Sequence, residues 1–206
     1  MNLDFIEASS LAVIDHQLEH SNRQLKASEY EIIRQVIYHT ADFEYESILK
    51  FNNGALSKGA AAITACSPIV VDVPEIQVSI VPKLQGSFRN PVYCAATKAT
   101  QTSKTKTKTA YGLETLASKH PQAIFIVGQD ATALQTLAEL IKYKTINPSL
   151  AIATAPLLIN SEQKSSLINS SIPLIYVDSI KGGATVASAI FKSLLRLTWQ
   201  AYQQDN

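Results

Sequence analysis

Apolar positions in the first third of the chain recur at intervals of three and four residues, and from Pro68 onward they gather into short continuous runs. The first spacing belongs to helices with one buried stripe, the second to strands buried on both faces. Leu11, Ile14 and Leu18 mark an N-terminal helix. Ser28-Glu29-Tyr30-Glu31 then reads as a capping box, with Ser28 at the N-cap and Glu31 three residues on. It opens a second helix whose stripe is Ile32, Ile33, Val36 and Ile37, and His39 falls at that helix's end. A third helical stretch is expected after Asn53-Gly54, running through the alanine-rich segment from Gly59 to Thr64.

The runs Ile69 to Val73, Val92 to Ala95, Ala123 to Val127, Leu150 to Ala153 and Leu174 to Val177 read as buried strands. Helical patterns separate most of them, clearest from Ala131 to Tyr143 and from Ala184 to Tyr202. Alternating strand and helix predict an α/β fold, a mostly parallel sheet covered on both faces behind an N-terminal helical segment. Asp72, Gly128, Thr154 and Ser179 should then cluster at the carboxyl ends of the strands, where such sheets take their ligands. The segment Thr100 to Thr109 cannot form a core: Lys104, Lys106 and Lys108 alternate with threonine. It is either a solvated loop, with Thr109 capping the next helix, or a loop that grips an anion.

Length and composition narrow this picture. At 206 residues and 46% hydrophobic content, the chain suits one domain, residues 1–206. A net charge of +1 provides no global field for nucleic acid or an anionic membrane, so anion binding has to be local. No apolar run approaches the roughly 18 residues of a membrane span, and Met1-Asn2-Leu3-Asp4 lacks a secretory pattern, so a cytoplasmic location is expected. Cys66 and Cys94 form no CxxC pair, sit beside apolar runs and are expected to be buried thiols.

Phosphate-loop, nucleophile-elbow, dinucleotide and zinc-site patterns are all missing from the sequence. His16 and His20 stand four apart, but without a third ligand they read as an exposed polar face, and no metal is assigned. Gly182-Gly183, next to Lys181, precedes the last helix. That turn is either an anion seat built on a helix N-terminus or a tight connection that needs glycine for backbone reasons. His39-Thr40-Ala41-Asp42 closes the second helix with an imidazole, a group able to exchange protons in the working pH range or simply to offset the helix dipole.

Taken in order, these pieces resemble the precorrin-8X methylmutase family from about Ser10 to Trp199. Ser10 to Asp15 resembles its opening helix, Val36 to Phe43 the segment bearing its catalytic histidine, and Ser67 to Val73 its first strand. Thr107-Lys108-Thr109 with Gly112-Leu113 resembles a basic loop of the family, Gly128 with Thr132-Ala133-Leu134 a motif that follows a strand, and Lys181-Gly182-Gly183 its C-terminal turn.

The resemblance implies a Rossmann-like homodimer that binds a carboxylate-rich tetrapyrrole near the subunit interface and uses no cofactor. The implied reaction moves a methyl group between adjacent ring carbons of precorrin-8X, or its cobalt form, giving hydrogenobyrinate or cobyrinate in cobalamin biosynthesis. It makes His39 the general acid, with Ser10, Thr40, Lys108, Thr109, Gly128, Thr132, Lys181, Gly182 and Gly183 around the substrate. The chain departs from the family at Lys108, where arginine is usual, at Gln129-Asp130-Ala131, at Leu157-Leu158-Ile159 and at Ile180. Those departures leave open a second role, a ring-binding paralogue with impaired catalysis.

Overall fold

In the computed structural model, which describes residues 5–19, 23–99, 102–157 and 162–204, the apolar runs become strands of one sheet. The strands are β1 (Leu49–Asn52), β2 (Ile69–Val71), β3 (Val92–Cys94), β4 (Ile124–Val127), β5 (Leu150–Ala153) and β6 (Leu174–Val177), in the spatial order β1-β6-β5-β4-β2-β3. Strands β2 to β6 are parallel, and β1 pairs antiparallel with β6, Leu49 opposite Val177. The apolar runs did not announce β1. Its Leu49-Lys50-Phe51-Asn52 mixes polar with apolar residues, as suits a short strand paired on one side only.

Alternate residues of each central strand enter different cores. Ile69, Val71, Ile124, Ile126, Leu150 and Ile152 face one side, together with the buried residues of α1 (Phe5–Leu18), α2 (Ala27–Thr40), α4 (Ala55–Thr64), α5 (Pro74–Gln85) and α9 (Ala184–Gln204). Val70, Phe125, Val127, Ala151 and Ala153 face the other, under α6 (Lys108–Lys119), α7 (Ala131–Lys142) and α8 (Glu162–Ile168). The one-turn helix α3 (Tyr45–Ile48) leads into β1.

Numbered among themselves, the five parallel strands run 2-1-3-4-5, a doubly wound order. The direction of winding reverses between β2 and β4, and helices change face there because βαβ crossovers keep one hand. A crevice at the carboxyl ends of β2 and β4 is the usual consequence.

Three local expectations are corrected. The N-cap of α2 is Lys26, two residues before Ser28, and the backbone N–H of Lys26 donates to Glu29 Oε2 at 3.3 Å. Glu31 does not reach back, because Arg34, Gln35 and Arg196 all donate to it. Thr107, not Thr109, caps α6, its Oγ1 accepting from Ala110 N–H at 3.1 Å. Cys94 is buried as expected, but Cys66 is exposed, in the left-handed turn between α4 and β2. Among the described residues no helix is long and apolar enough to cross a membrane.

Candidate functional site

The crevice at the winding reversal is filled from inside. Asp72, fully buried at the end of β2, receives hydrogen bonds at Oδ2 from the backbone N–H groups of Gly128, Gln129 and Asp130, at 3.1, 2.7 and 2.9 Å, and at Oδ1 from its neighbour Val73 at 2.9 Å. Burial pushes the Asp72 carboxyl up on balance, and these four donors offset part of that push. Every one of these partners is a donor, so the nest fits the ionised carboxylate. It thereby occupies the place where doubly wound proteins commonly receive a ligand's phosphate.

Gly128 belongs to this packing. A Cβ there would meet Ile76 Cδ1 at 2.7 Å and Ala187 Cβ at 2.8 Å, and its own N–H is committed to Asp72. Asp130 is engaged too: it caps α7 by accepting from Ala133 N–H at 2.8 Å and accepts the Thr107 hydroxyl at 2.8 Å. The last contact ties the lysine-rich loop to the start of α7, with exposed Lys108 and half-buried Thr109 on the first turn of α6 and half-buried Thr132 on that of α7. Lys106 pairs with Glu114, so that loop keeps one of its cations for itself.

His39 stands at the opposite side of the carboxyl edge, in the last turn of α2. Its Nδ1 lies 2.8 Å from the Gln35 carbonyl oxygen. A carbonyl can only accept, so Nδ1 carries the hydrogen and Nε2 is the nitrogen left to exchange a proton. The ring meets Tyr38 edge-on, centroids 5.2 Å apart. The chain then leaves the helix through left-handed Ala41, whose N–H donates to Ile37 O at 2.7 Å.

Two hollows share the imidazole. One, of about 500 Å³, is walled by Thr40, Asp42, Tyr45, Pro156, Lys181, Gly182, Thr185 and Val186. The Lys181 ammonium is 2.6 Å from both Asp42 and Glu44. Gly182 is required by close approach: a Cβ would fall 1.9 Å from the Thr154 carbonyl oxygen, at φ +149°. Gly183 N–H donates to that same oxygen at 2.8 Å. The diglycine therefore pins the start of α9 to the end of β5, the backbone account of this turn. Thr154 is thus joined to the turn, Asp72 is joined to Gly128, and Ser179 accepts from Lys181 N–H at 3.3 Å.

The other hollow, about 490 Å³, is a groove over α9 between α2 and α5. Gln35, Tyr38 and His39 form one wall and Pro82, Lys83, Gly86 and Ser87 the other; Lys192, Arg196 and Trp199 line its α9 side. Apolar walls with a few cations suit a large anionic ring. Arg196 pairs with Glu31. Burial, and then the Lys83 charge, push the Lys192 amine down.

Of the residues singled out from the sequence, His39, Thr40, Lys181 and Gly182 are brought together. Lys108, Thr109, Gly128 and Thr132 line neither hollow of His39, nor does Gly183, where an added Cβ would meet Gln129 Oε1 at 3.9 Å. Ser10 lies one turn beyond Glu7, which reaches the groove, and its hydroxyl donates to Ile6 O at 2.8 Å. His20 lies outside the described residues. Missed in the sequence were Tyr38, Lys83, Lys192 and Trp199. Lys192 did carry a signal: it follows Ala189, Ile190 and Phe191 in a helix buried on most sides, where a charge is unusual.

A family model, precorrin-8X methylmutase, matches residues 5–197. The chain belongs to the precorrin-8X methylmutase family. Its similarity to a cobalt-precorrin-8 methylmutase of Synechocystis sp. is 32% identity, covering 93% of this chain and 94% of the relative. With that of Leptospira interrogans it is 30%, covering 94% and 93%. Among solved structures, precorrin-8X methyl mutase from Thermus thermophilus superposes with a TM-score of 0.84 at 29% identity, covering 95% of this chain and 96% of that one. The α/β fold and the family expected from the sequence therefore agree with these relatives.

Proposed function

We propose that the chain is a methylmutase acting on precorrin-8X or its cobalt form. It shifts one methyl group between adjacent ring carbons to give hydrogenobyrinate or cobyrinate, a step of cobalamin biosynthesis. The observation that carries this reading is the state of His39, in a chain of this family: Nδ1 is tied to a carbonyl, and Nε2 is left to serve two hollows. On the metal-free ring, whose nitrogen lone pairs are not held by cobalt, His39 as imidazolium donates the Nε2 proton to a ring nitrogen beside the migrating methyl. The π-system becomes electron-poor, the methyl migrates with its bonding pair, and the proton returns to Nε2. Nothing is gained or lost overall, as an isomerisation requires.

Thr40 and Gly182 edge the reacting ring, and Lys181, shared with Asp42 and Glu44, acts at its rim. Lys108, Thr109, Thr132, Gly183 and Ser10 lie further along the carboxyl edge and on α1, and are assigned to the periphery of so large a substrate. Either hollow is small for the whole macrocycle, which fits a site completed by a second copy in a cytoplasmic homodimer. Asp130, one of the departures from the family, caps α7 and accepts the Thr107 hydroxyl, a role in the fold that favours turnover over the impaired paralogue.

The test is an anaerobic assay with precorrin-8X, followed by absorbance. Wild-type protein should form hydrogenobyrinate, and His39→Ala should remain folded and bind the ring without turning it over. A wild-type protein that binds the ring and never isomerises it would establish the paralogue reading.

A further inference from the structure

We propose that Lys83 and Lys192 form a second carboxylate seat, holding peripheral carboxylates of the same tetrapyrrole whose ring meets His39. This rests on the reading above, which supplies a polycarboxylate ligand. It adds a place for that ligand's charges on a wall, made by α5 and α9, that no sequence motif marked.

The two lysines and His39 line one groove. Arg196, the third cation there, is neutralised by Glu31, and Lys181 in the adjoining hollow by Asp42 and Glu44. Among the described residues, Lys83 and Lys192 have neither an ion pair nor a hydrogen bond from their ammonium groups. Among the described lining residues Glu7 is the one carboxylate, and none of the ion pairs to Lys or Arg there joins it to Lys83 or Lys192.

Placing Lys192 among buried neighbours and near a like charge disfavours its charged form, and both causes push its amine down. A helix selected for packing alone would carry leucine or methionine there. The arrangement makes sense when an anion completes it, because each carboxylate oxygen then removes part of the repulsion and accepts a charge-assisted hydrogen bond. Tyr38 and Trp199 supply flat apolar surface on the same groove, so charge and ring contact are offered together. The imidazole common to both hollows makes the seat continuous with the reacting centre.

The experiment titrates the protein with hydrogenobyrinate and with the same corrin whose side-chain carboxylates have been amidated. Wild type is compared with Lys83→Met, Lys192→Met, Lys192→Arg and, as a control at the far end of the sheet, Lys58→Met. Each Met variant should weaken hydrogenobyrinate binding roughly 10-fold, while Lys192→Arg and Lys58→Met stay within about threefold of wild type. The amidated corrin should not distinguish the variants. Lys192→Met should melt no lower than wild type, since it relieves repulsion, and a structural role would lower its Tm. Wild type binding with Met variants unchanged overturns the seat and leaves the methylmutase reading standing. Unchanged affinity with an altered monomer–dimer equilibrium in the Met variants would assign the lysines to a subunit contact and overturn it too. Wild type that fails to bind hydrogenobyrinate removes the reading, and the seat with it.

Discussion

Asp72, buried at the end of β2, and Lys192, half-buried on α9, are both ionisable groups drawn out of water, and the protein treats them in opposite ways. Asp72 has four backbone donors from the chain itself, so its charge is answered before any ligand arrives. Lys192 faces a second lysine across an open groove, and its charge is unanswered. The first arrangement stabilises a turn. The second costs stability unless something binds, which is the mark of a recognition surface. On the proposed reading, a doubly wound fold whose usual ligand crevice is plugged by its own carboxylate takes its ligand on the α2–α9 side, where His39 stands.

The comparison predicts that substitutions around His39 change turnover or binding and leave the melting temperature nearly alone, whereas those at the plugged crevice do the reverse. His39→Ala carries the largest expected effect. Loss of a positioned general acid lowers kcat by about 10²- to 10⁴-fold. Exposed His39 packs against little, so its Tm should shift by no more than about 2 °C. A calorimetric scan beside the single-turnover assay checks both halves, and a His39→Ala protein that melts much earlier would make the histidine structural.

Gly182→Ala comes next, and it couples the two regions. The new methyl overlaps the Thr154 carbonyl, and φ +149° is a region that alanine avoids. The cost is about 3 kcal/mol or more. Because Gly182 also walls the hollow of His39, Tm and turnover should fall together; unchanged turnover would separate the turn from the site. Asp72→Asn follows. It sets one amide N–H₂ against backbone donors that needed an oxygen, at roughly 2 kcal/mol. That corresponds to a Tm lower by about 4–8 °C for a chain of this size. Ring affinity should hold within twofold.

The sequence revealed those features that local chemistry controls. Continuous apolar runs gave five strands, because parallel strands are buried on both faces and cannot conceal their composition. Sequence order alone did not show that β1 would pair with β6, since Leu49 to Asn52 finds its partner 122 to 128 residues later. Cap positions slipped by two residues at Ser28 and Thr109 because several polar residues competed, and tertiary partners chose among them: Arg196 for Glu31, Asp130 for Thr107. His39 was singled out through its motif, and it lines two hollows. Its groove was not legible, because Lys83 and Lys192 come from α5 and α9, and only packing brings those helices side by side.

The smallest effect belongs to the paired cation. Lys181 shares its ammonium with Asp42 and Glu44 at the protein surface, where ion pairs contribute little. Its hydrogen bond holds the Asp42 carboxyl below the ordinary range. A depressed folded value means that this contribution is present above the unfolded carboxylate range and lost as pH falls through the folded value. The lysine is itself pushed up, first by Asp42 and then by Glu44, so its share persists until strongly alkaline pH. Between roughly pH 5 and 10 the cluster is intact. Lys181→Met should therefore lower Tm by no more than about 2 °C near neutrality, with the difference closing as pH falls through the depressed Asp42 value and in roughly 1 M salt. Its effect on ring affinity should stay below about threefold, less than that of Lys192→Met, because two carboxylates already draw on its charge. A larger loss at Lys181 than at Lys192 would mean that pairing within the free protein does not rank the cations, and the contrast between answered and unanswered charge would fail.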